Sequence, residues 1–364
     1  ILLAHANAGL RSHDGSGPAG SIDINADTNG SGAGIFAMAG AALDADGSGP
    51  GDGRVEIDAA DVVLGGTIAA GAEVVHLAPT TNGASPIAIS LGGGALAGTF
   101  GVSQAELNTV VSAGRIEIGY RVAAPAAPPE GHAASGPVTL DGDVTLGPAA
   151  TLVVNTGGGI QADTASPMRT VTVGSLALNA AGGIGDVVPF LVESGSSTLA
   201  ARVTGAGGIV LAELTNVTVG SVTADEAVIS GLTTANGSIA LTTANGTITV
   251  DDDVVALGAG SNVVLHARGA DADVVLGAHV TAIGDDVHIR AARDVLQPLD
   301  TVFITAERLA LEAGRRIGSA AGAEAIDTRV TFVAAVAGKA TGDGNIFLNE
   351  DSAGAPLTVG QVCS

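Results

Sequence analysis

Thr233-Thr234-Ala235-Asn236-Gly237 returns nine residues later as Thr242-Thr243-Ala244-Asn245-Gly246, and each copy runs into a short alternating string. A turn plus a strand repeated at such short range points to stacked supersecondary units rather than one irregular core. Near the N-terminus "DGSGPAGSIDINA" (14–26) recurs as "DGSGPGDGRVEIDA" (46–59), with Ile22 and Ile24 matching Val55 and Ile57. Three matches of longer range follow in order. "SLALNAAGGIG" (175–185) pairs with "RLALEAGRRIG" (308–318), "GGIVLAE" (207–213) with "GNIFLNE" (344–350), and "VTVGSV" (217–222) with "LTVGQV" (357–362). Their offsets grow from 133 to 137 to 140 residues, the mark of one ancestral module that took insertions in its loops.

The texture between these landmarks is uniform. Strings such as Val138–Leu140, Thr151–Val154, Thr170–Val173, Asn262–Ala267 and Val287–Ala291 alternate with period two and are separated by Gly, Asn, Asp or Pro. Such strings are predicted strands joined by tight turns. Helical periodicity is confined to "SQAELNTVVSAG" (103–114). There Ser103 and Glu106 have capping-box spacing and Leu107, Val110 and Val111 form one face, so a short helical turn is expected near 103–112.

Two all-β classes fit, a sandwich or barrel and a parallel β-solenoid. The chain is 46% hydrophobic and 14% charged, which excludes a disordered polymer, yet it has no Trp, one Tyr and six Phe. A core of Ala, Val, Ile and Leu suits narrow regular layers better than a sandwich, which buries large aromatics. The prediction is therefore a right-handed parallel β-helix (β-solenoid). Coils of roughly 20–24 residues, each adding about 4.8 Å, would give a single rod of about 75 Å. Pro-rich "APAAPPEGHAASGP" (124–137) breaks the texture, since proline cannot donate to a ladder. It is expected to be a loop insertion or hinge between an N-terminal solenoid segment (1–123) and a segment continuing the same rod (138–364).

A net charge of −23 argues against nucleic acid and against an anionic membrane surface. No apolar run is long enough to insert directly into a membrane; Gly32 to Leu43 is the nearest. Cys363, the single cysteine, permits no intrachain disulfide. The opening Ile1-Leu2-Leu3-Ala4 lacks a Met and a basic stretch and does not read as a signal peptide, so the chain is expected to be a segment of something longer.

"AISLGGGALAGTFGVSQAELNTVVSAGRIEIGY" (88–120) resembles a recurring unit of filamentous-haemagglutinin-like large bacterial exoproteins, adhesins of the two-partner-secretion type. It has a Gly-rich strand, a short S-x-A-E-L turn, then AG-x-(L/I)-x-IG. "LNAAGGIGDVVPFLV" (178–192) and "LEAGRRIGSAAGAEAIDTRV" (311–330) are similar to another coil of that family, and the resemblance covers most of 88–364. It implies a right-handed β-helix secreted through the outer membrane and displayed as a fibre at the bacterial cell surface. Its function would be adhesion or cell–cell association, without catalysis. The expected partners are neighbouring solenoid segments or further copies stacked end to end, and a host or neighbouring-cell surface. A polymer subunit is the alternative, and a β-helix enzyme acting on polysaccharide a more distant one.

No catalytic, cofactor-binding or metal-binding residue is assigned. Calcium is the one ion considered. "DADGSGPGD" offers Asp44, Asp46, Ser48 and Asp52, and "DTNGSG" offers Asp27 and Asn29, all oxygen donors among glycines. Neither has an EF-hand glutamate or a calcium-roll repeat, so turn-capping at solenoid corners is the expected role; Asp251-Asp252-Asp253 reads as a solvated corner. A polysaccharide-cleaving site needs clustered carboxylates and aromatic platforms, and the chain offers Tyr120 and a single lysine, Lys339. His266 and His288, 22 residues apart in comparable strings, are expected to stack on adjacent coils. Thr170, Thr172, Thr247 and Thr249 are too scattered for an ordered threonine face.

Overall fold

A computed structural model describes residues 2–3, 9–11, 20–27, 31–47, 53–82, 85–94, 96–120, 135–165, 168–186, 189–192, 197–224, 227–319, 325–338, 344–351 and 357–360. Strand accounts for 58% and helix for 1%, so the protein is nearly all-β. The ladders that carry its core are parallel, and the pairing is compatible with a β-solenoid. The chain forms two compact units, residues 1–181 with 223–228, and residues 182–222 with 229–364.

In the first unit Ile24 pairs beside Ile57, Ile57 beside Leu77, Leu77 beside Ile118, Ile118 beside Val154, and Val154 beside Leu178. All six are buried. Like stacks on like because parallel strands bring equivalent positions of successive passes into register. Each aliphatic side chain then meets others of similar size about 4.8 Å above and below. The "SIDINA" and "RVEIDA" copies are direct neighbours in this column, with Ile22 beside Val55. A second face carries Phe36 beside Val62 and Met38 beside Leu64.

The second unit has the same logic with more regular passes. One inner column runs Ile209, Ile239, Val263, Val287, Leu309, Val333, and its companion runs Leu211, Leu241, Leu265, Ile289, Leu311. Contacts between successive passes link residues 22, 24 and 26 apart. The long strand Ile304–Ala313 turns a corner, pairing through Ile304 with Val280 and through Leu309 with Val287.

The Thr-Thr-Ala-Asn-Gly echo is two corners of one pass. Strands Leu232–Asn236 and Ile239–Thr243 lie on consecutive faces. The buried Thr234 hydroxyl donates to the carbonyl of Gly237 at 2.5 Å, and that of Thr243 to the carbonyl of Gly246 at 2.5 Å. A Cβ on Gly237 would lie 2.1 Å from the Gly207 carbonyl oxygen of the adjoining pass. The motif thus closes a corner and lets the next pass sit tightly upon it.

The long-range matches are also structural. Ile184 bridges Ile209 in parallel, and at the equivalent positions of the later copy Ile317 bridges Ile346. Gly185 and Gly318, next along each copy, both have positive φ, 69° and 67°. Leu199 pairs with Val219 as Val333 does with Val359.

The helical segment is shorter than expected. Gln104–Leu107 is helical, and both reciprocal bonds between Ser103 and Glu106 are present. The Glu106 carboxylate also accepts from the backbone of Leu64 at 3.2 Å. Val110–Ser112 is instead a strand beside Ile68 and Ala69, because pairing with a neighbouring pass outcompetes a second helical turn that would bury little. The Pro-rich insertion lies outside the described residues except for 135–137.

Candidate functional site

Charged side chains gather at two places on the outer positions of these ladders. In the first unit the strings Val55-Glu56-Ile57, Val75-His76-Leu77 and Ile116-Glu117-Ile118 stack so that His76 lies between Glu56 and Glu117. Alternation alone would expose these three residues, yet each is at most 6% exposed. His76 Nε2 is 2.8 Å from the Gly119 carbonyl oxygen, which can only accept, and Nδ1 is 3.5 Å from Glu56 Oε1. Both nitrogens therefore face acceptors, and the imidazolium is the favoured form. Burial pushes the His76 pKa down, but Glu56, Glu117 and Asp58 outweigh it and hold it above the ordinary value. Arg54 and Arg115 pair with Glu56 and Glu117 at 2.9 and 2.8 Å, so charge alternates along the whole cluster.

The second place is a groove on the second unit. Of 14 Lys and Arg in the chain, seven are arginines between Arg268 and Arg329, so this stretch departs from the acidic surface. Most of them are engaged. Asp273 takes Arg293, and buried Asp294 takes Arg315 through Nε at 2.9 Å with Arg293 and Arg316 within 3.7 Å. Burial pushes the Asp294 carboxyl up, but Arg315 and Arg316 reverse this and hold it below the usual carboxylate range.

The groove has a volume of about 440 Å³ and is lined by His266, Arg268, Arg290 and Glu312 over a floor of alanines and glycines. His266 pairs beside Arg290, and Arg290 beside Glu312. Arg268 Nε donates to His266 Nδ1 at 3.3 Å. Glu312 lies 3.3 Å from His288 Nε2 and 3.8 Å from Arg290 Nε. Burial, then the charges of Arg268, Arg290 and His288, push the His266 pKa down to about 4 against a weaker opposing pull from Glu312. At neutral pH His266 is thus uncharged and accepts from Arg268.

The two histidines do not stack directly. His288 lies beside Val264 and His266 beside Arg290. Between these two passes residues repeat after 24, so two histidines 22 apart share a face but fall two positions out of register. The other candidates are dispersed. Asp27 caps its own turn, accepting from the backbones of Ser31 and Gly32 and the hydroxyls of Ser31 and Thr80. Asp44 pairs with Arg11 at 3.5 Å and accepts from the Asp46 backbone. Ser48, Asp52, Asn29 and Lys339 lie outside the described residues. Among the described residues no group of three or more His, Cys, Asp or Glu is arranged to hold a metal. Asp252 accepts from Ser221 and Asp253 from the His279 backbone, both as corner caps. Phe303 is covered on both sides, by the His279 ring at 6.0 Å and the Arg329 guanidinium at 3.6 Å.

Neither polar cluster emerged from the sequence. The thrice-repeated apolar–charged–apolar string at residues 56, 76 and 117 was the available signal for the first. For the second, the 24-residue spacing of passes would have placed Arg290 against His266. Comparison with family models, with curated proteins and with solved structures finds no match.

Proposed function

We propose that this chain is a non-catalytic structural segment of a secreted bacterial surface fibre, a right-handed parallel β-helix that supports adhesion or cell–cell association. The observation that carries the reading is the recurrence of one bridge, Ile184 to Ile209 and again Ile317 to Ile346, in two copies of a degenerate sequence module. Modules that stack in register add length without changing chemistry, which is what a spacer needs. The acidic surface supports it too, since like charge keeps the sides of neighbouring fibres apart. Its partners would be adjoining solenoid segments and a host or neighbouring-cell surface.

The test is a bead assay with the purified chain, run beside a panel of uronic and neutral polysaccharides with and without calcium. Adhesion to cells or matrix without turnover is the expected result. Polysaccharide cleavage abolished by a single Asp substitution would replace this reading with an enzymatic one.

A further inference from the structure

We propose that the groove between Arg268 and Arg290 is a binding site for a small monocarboxylate, a function separate from the structural role above. Both guanidiniums are exposed, on adjoining passes of one face, Arg290 opposite His266 and Arg268 two residues further along. Arg268 spends only Nε, on His266, and Arg290 makes one long contact with Glu312 through Nε. Their terminal nitrogens therefore present donors in the planar forks that match a carboxylate. This is unlike Arg293 and Arg315, whose forks are already closed on Asp273 and Asp294.

The size and lining specify the ligand further. About 440 Å³ lies within the range of small-molecule sites. Ala267, Ala291, Ala292 and Ala313 line the groove without filling it, which leaves room for a compact body beside the guanidiniums. Glu312 lines the same groove, so with His266 neutral the fixed charge of the lining is two guanidiniums against one carboxylate. One negative charge is balanced there; a dianion is opposed by Glu312. The shared chemistry is a carboxylate, borne either by a bare small acid or by a sugar ring.

His266 supplies the readout. A bound carboxylate offsets Arg268 and Arg290, which together with burial and His288 hold the imidazole down, and adds to the opposite pull of Glu312. Binding must therefore raise the His266 titration midpoint, and by linkage carboxylate binds more tightly as pH falls.

The experiment is an NMR titration of histidine-labelled protein, with His266 assigned by His266→Gln. Acetate, D-glucuronate, D-glucose and inorganic phosphate are the probes, at constant ionic strength. Saturable shifts with acetate and glucuronate are expected, with the midpoint rising at least half a pH unit at saturation, no response to glucose, and at least threefold weaker binding of phosphate. Glucuronate binding tenfold tighter than acetate would assign the sugar acid; equal binding would assign the bare carboxylate. Arg268→Gln and Arg290→Gln, both at exposed positions, should each weaken binding at least tenfold while leaving the circular dichroism spectrum unchanged. No saturable shift with either carboxylate, or phosphate binding as tightly as carboxylate, would overturn the proposal.

Discussion

Replacing His76 by Leu tests whether the buried Glu56–His76–Glu117 stack is held by charge. The side chain is 2% exposed, so its loss exposes nothing to water; it removes the cation between two carboxylates that are themselves buried. Glu56 and Glu117 keep Arg54 and Arg115, but the central positive charge and the hydrogen bond to the Gly119 carbonyl disappear. Breaking a buried ion pair from one side costs about 3–5 kcal/mol, and leucine roughly preserves the volume, so the loss is electrostatic rather than a cavity. The pH dependence supplies a second check. The folded-state pKa of His76 lies above its unfolded value of 6.5. Its contribution is thus fully present below that value and is lost as pH rises through the folded-state pKa. Urea unfolding at pH 6.5, 7.5 and 9 should show the gap between wild type and His76→Leu shrinking as pH rises. A cost below about 1 kcal/mol, under the range for a buried pair, or a gap that stays constant, would refute the electrostatic account.

Four other outcomes follow from the same geometry. Gly237→Ala places a Cβ 2.1 Å from a backbone oxygen that cannot yield cheaply, and should cost about 1–3 kcal/mol in urea melts. Thr234→Val, which keeps the shape and removes the bond to Gly237, should cost about 1 kcal/mol. His266, whose folded pKa is depressed to about 4, contributes stability above pH 6.5 that is lost as pH falls through 4; His266→Gln should flatten the melting profile in that acid window. Millimolar calcium should leave the melting temperature of wild type and Asp46→Ala unchanged in calorimetry, since Asp44 is paired with Arg11; a rise of many degrees would assign a calcium site.

The inner columns were legible because they depend on local alternation. Ile22, Ile24, Val55 and Ile57 announce one face, and the matched strings at 175–185 and 308–318 end in the same bridge. The helical turn was half legible: the capping box at Ser103 and Glu106 is a local signal, but whether Val110 continues it is decided by the strand containing Ile68. The polar clusters were not legible for a related reason. Alternation says that Glu56 and His76 point away from the aliphatic column, and says nothing about whether that outer face is covered. His266 and Arg290 become neighbours only when the length of that one pass is known to be 24 rather than the 22 of the next, a quantity set by corners and not by strands.

Pass length also explains where the arginines are. In a parallel stack of identical passes every outer residue faces its own equivalent, and like charges about 4.8 Å apart repel. A charged column is tolerable only if successive passes shift or substitute so that signs alternate. The Asp273, Arg293, Asp294 and Arg315 corner does this, and the column His266, Arg290, Glu312 does it in its Arg290–Glu312 step. In the first, each guanidinium closes on a carboxylate and the corner is neutralised. The second has a neutral histidine where a carboxylate would complete the alternation, because burial and two arginines keep His266 unprotonated. The carboxylate proposed for the groove supplies the negative charge that this column lacks beside Arg290.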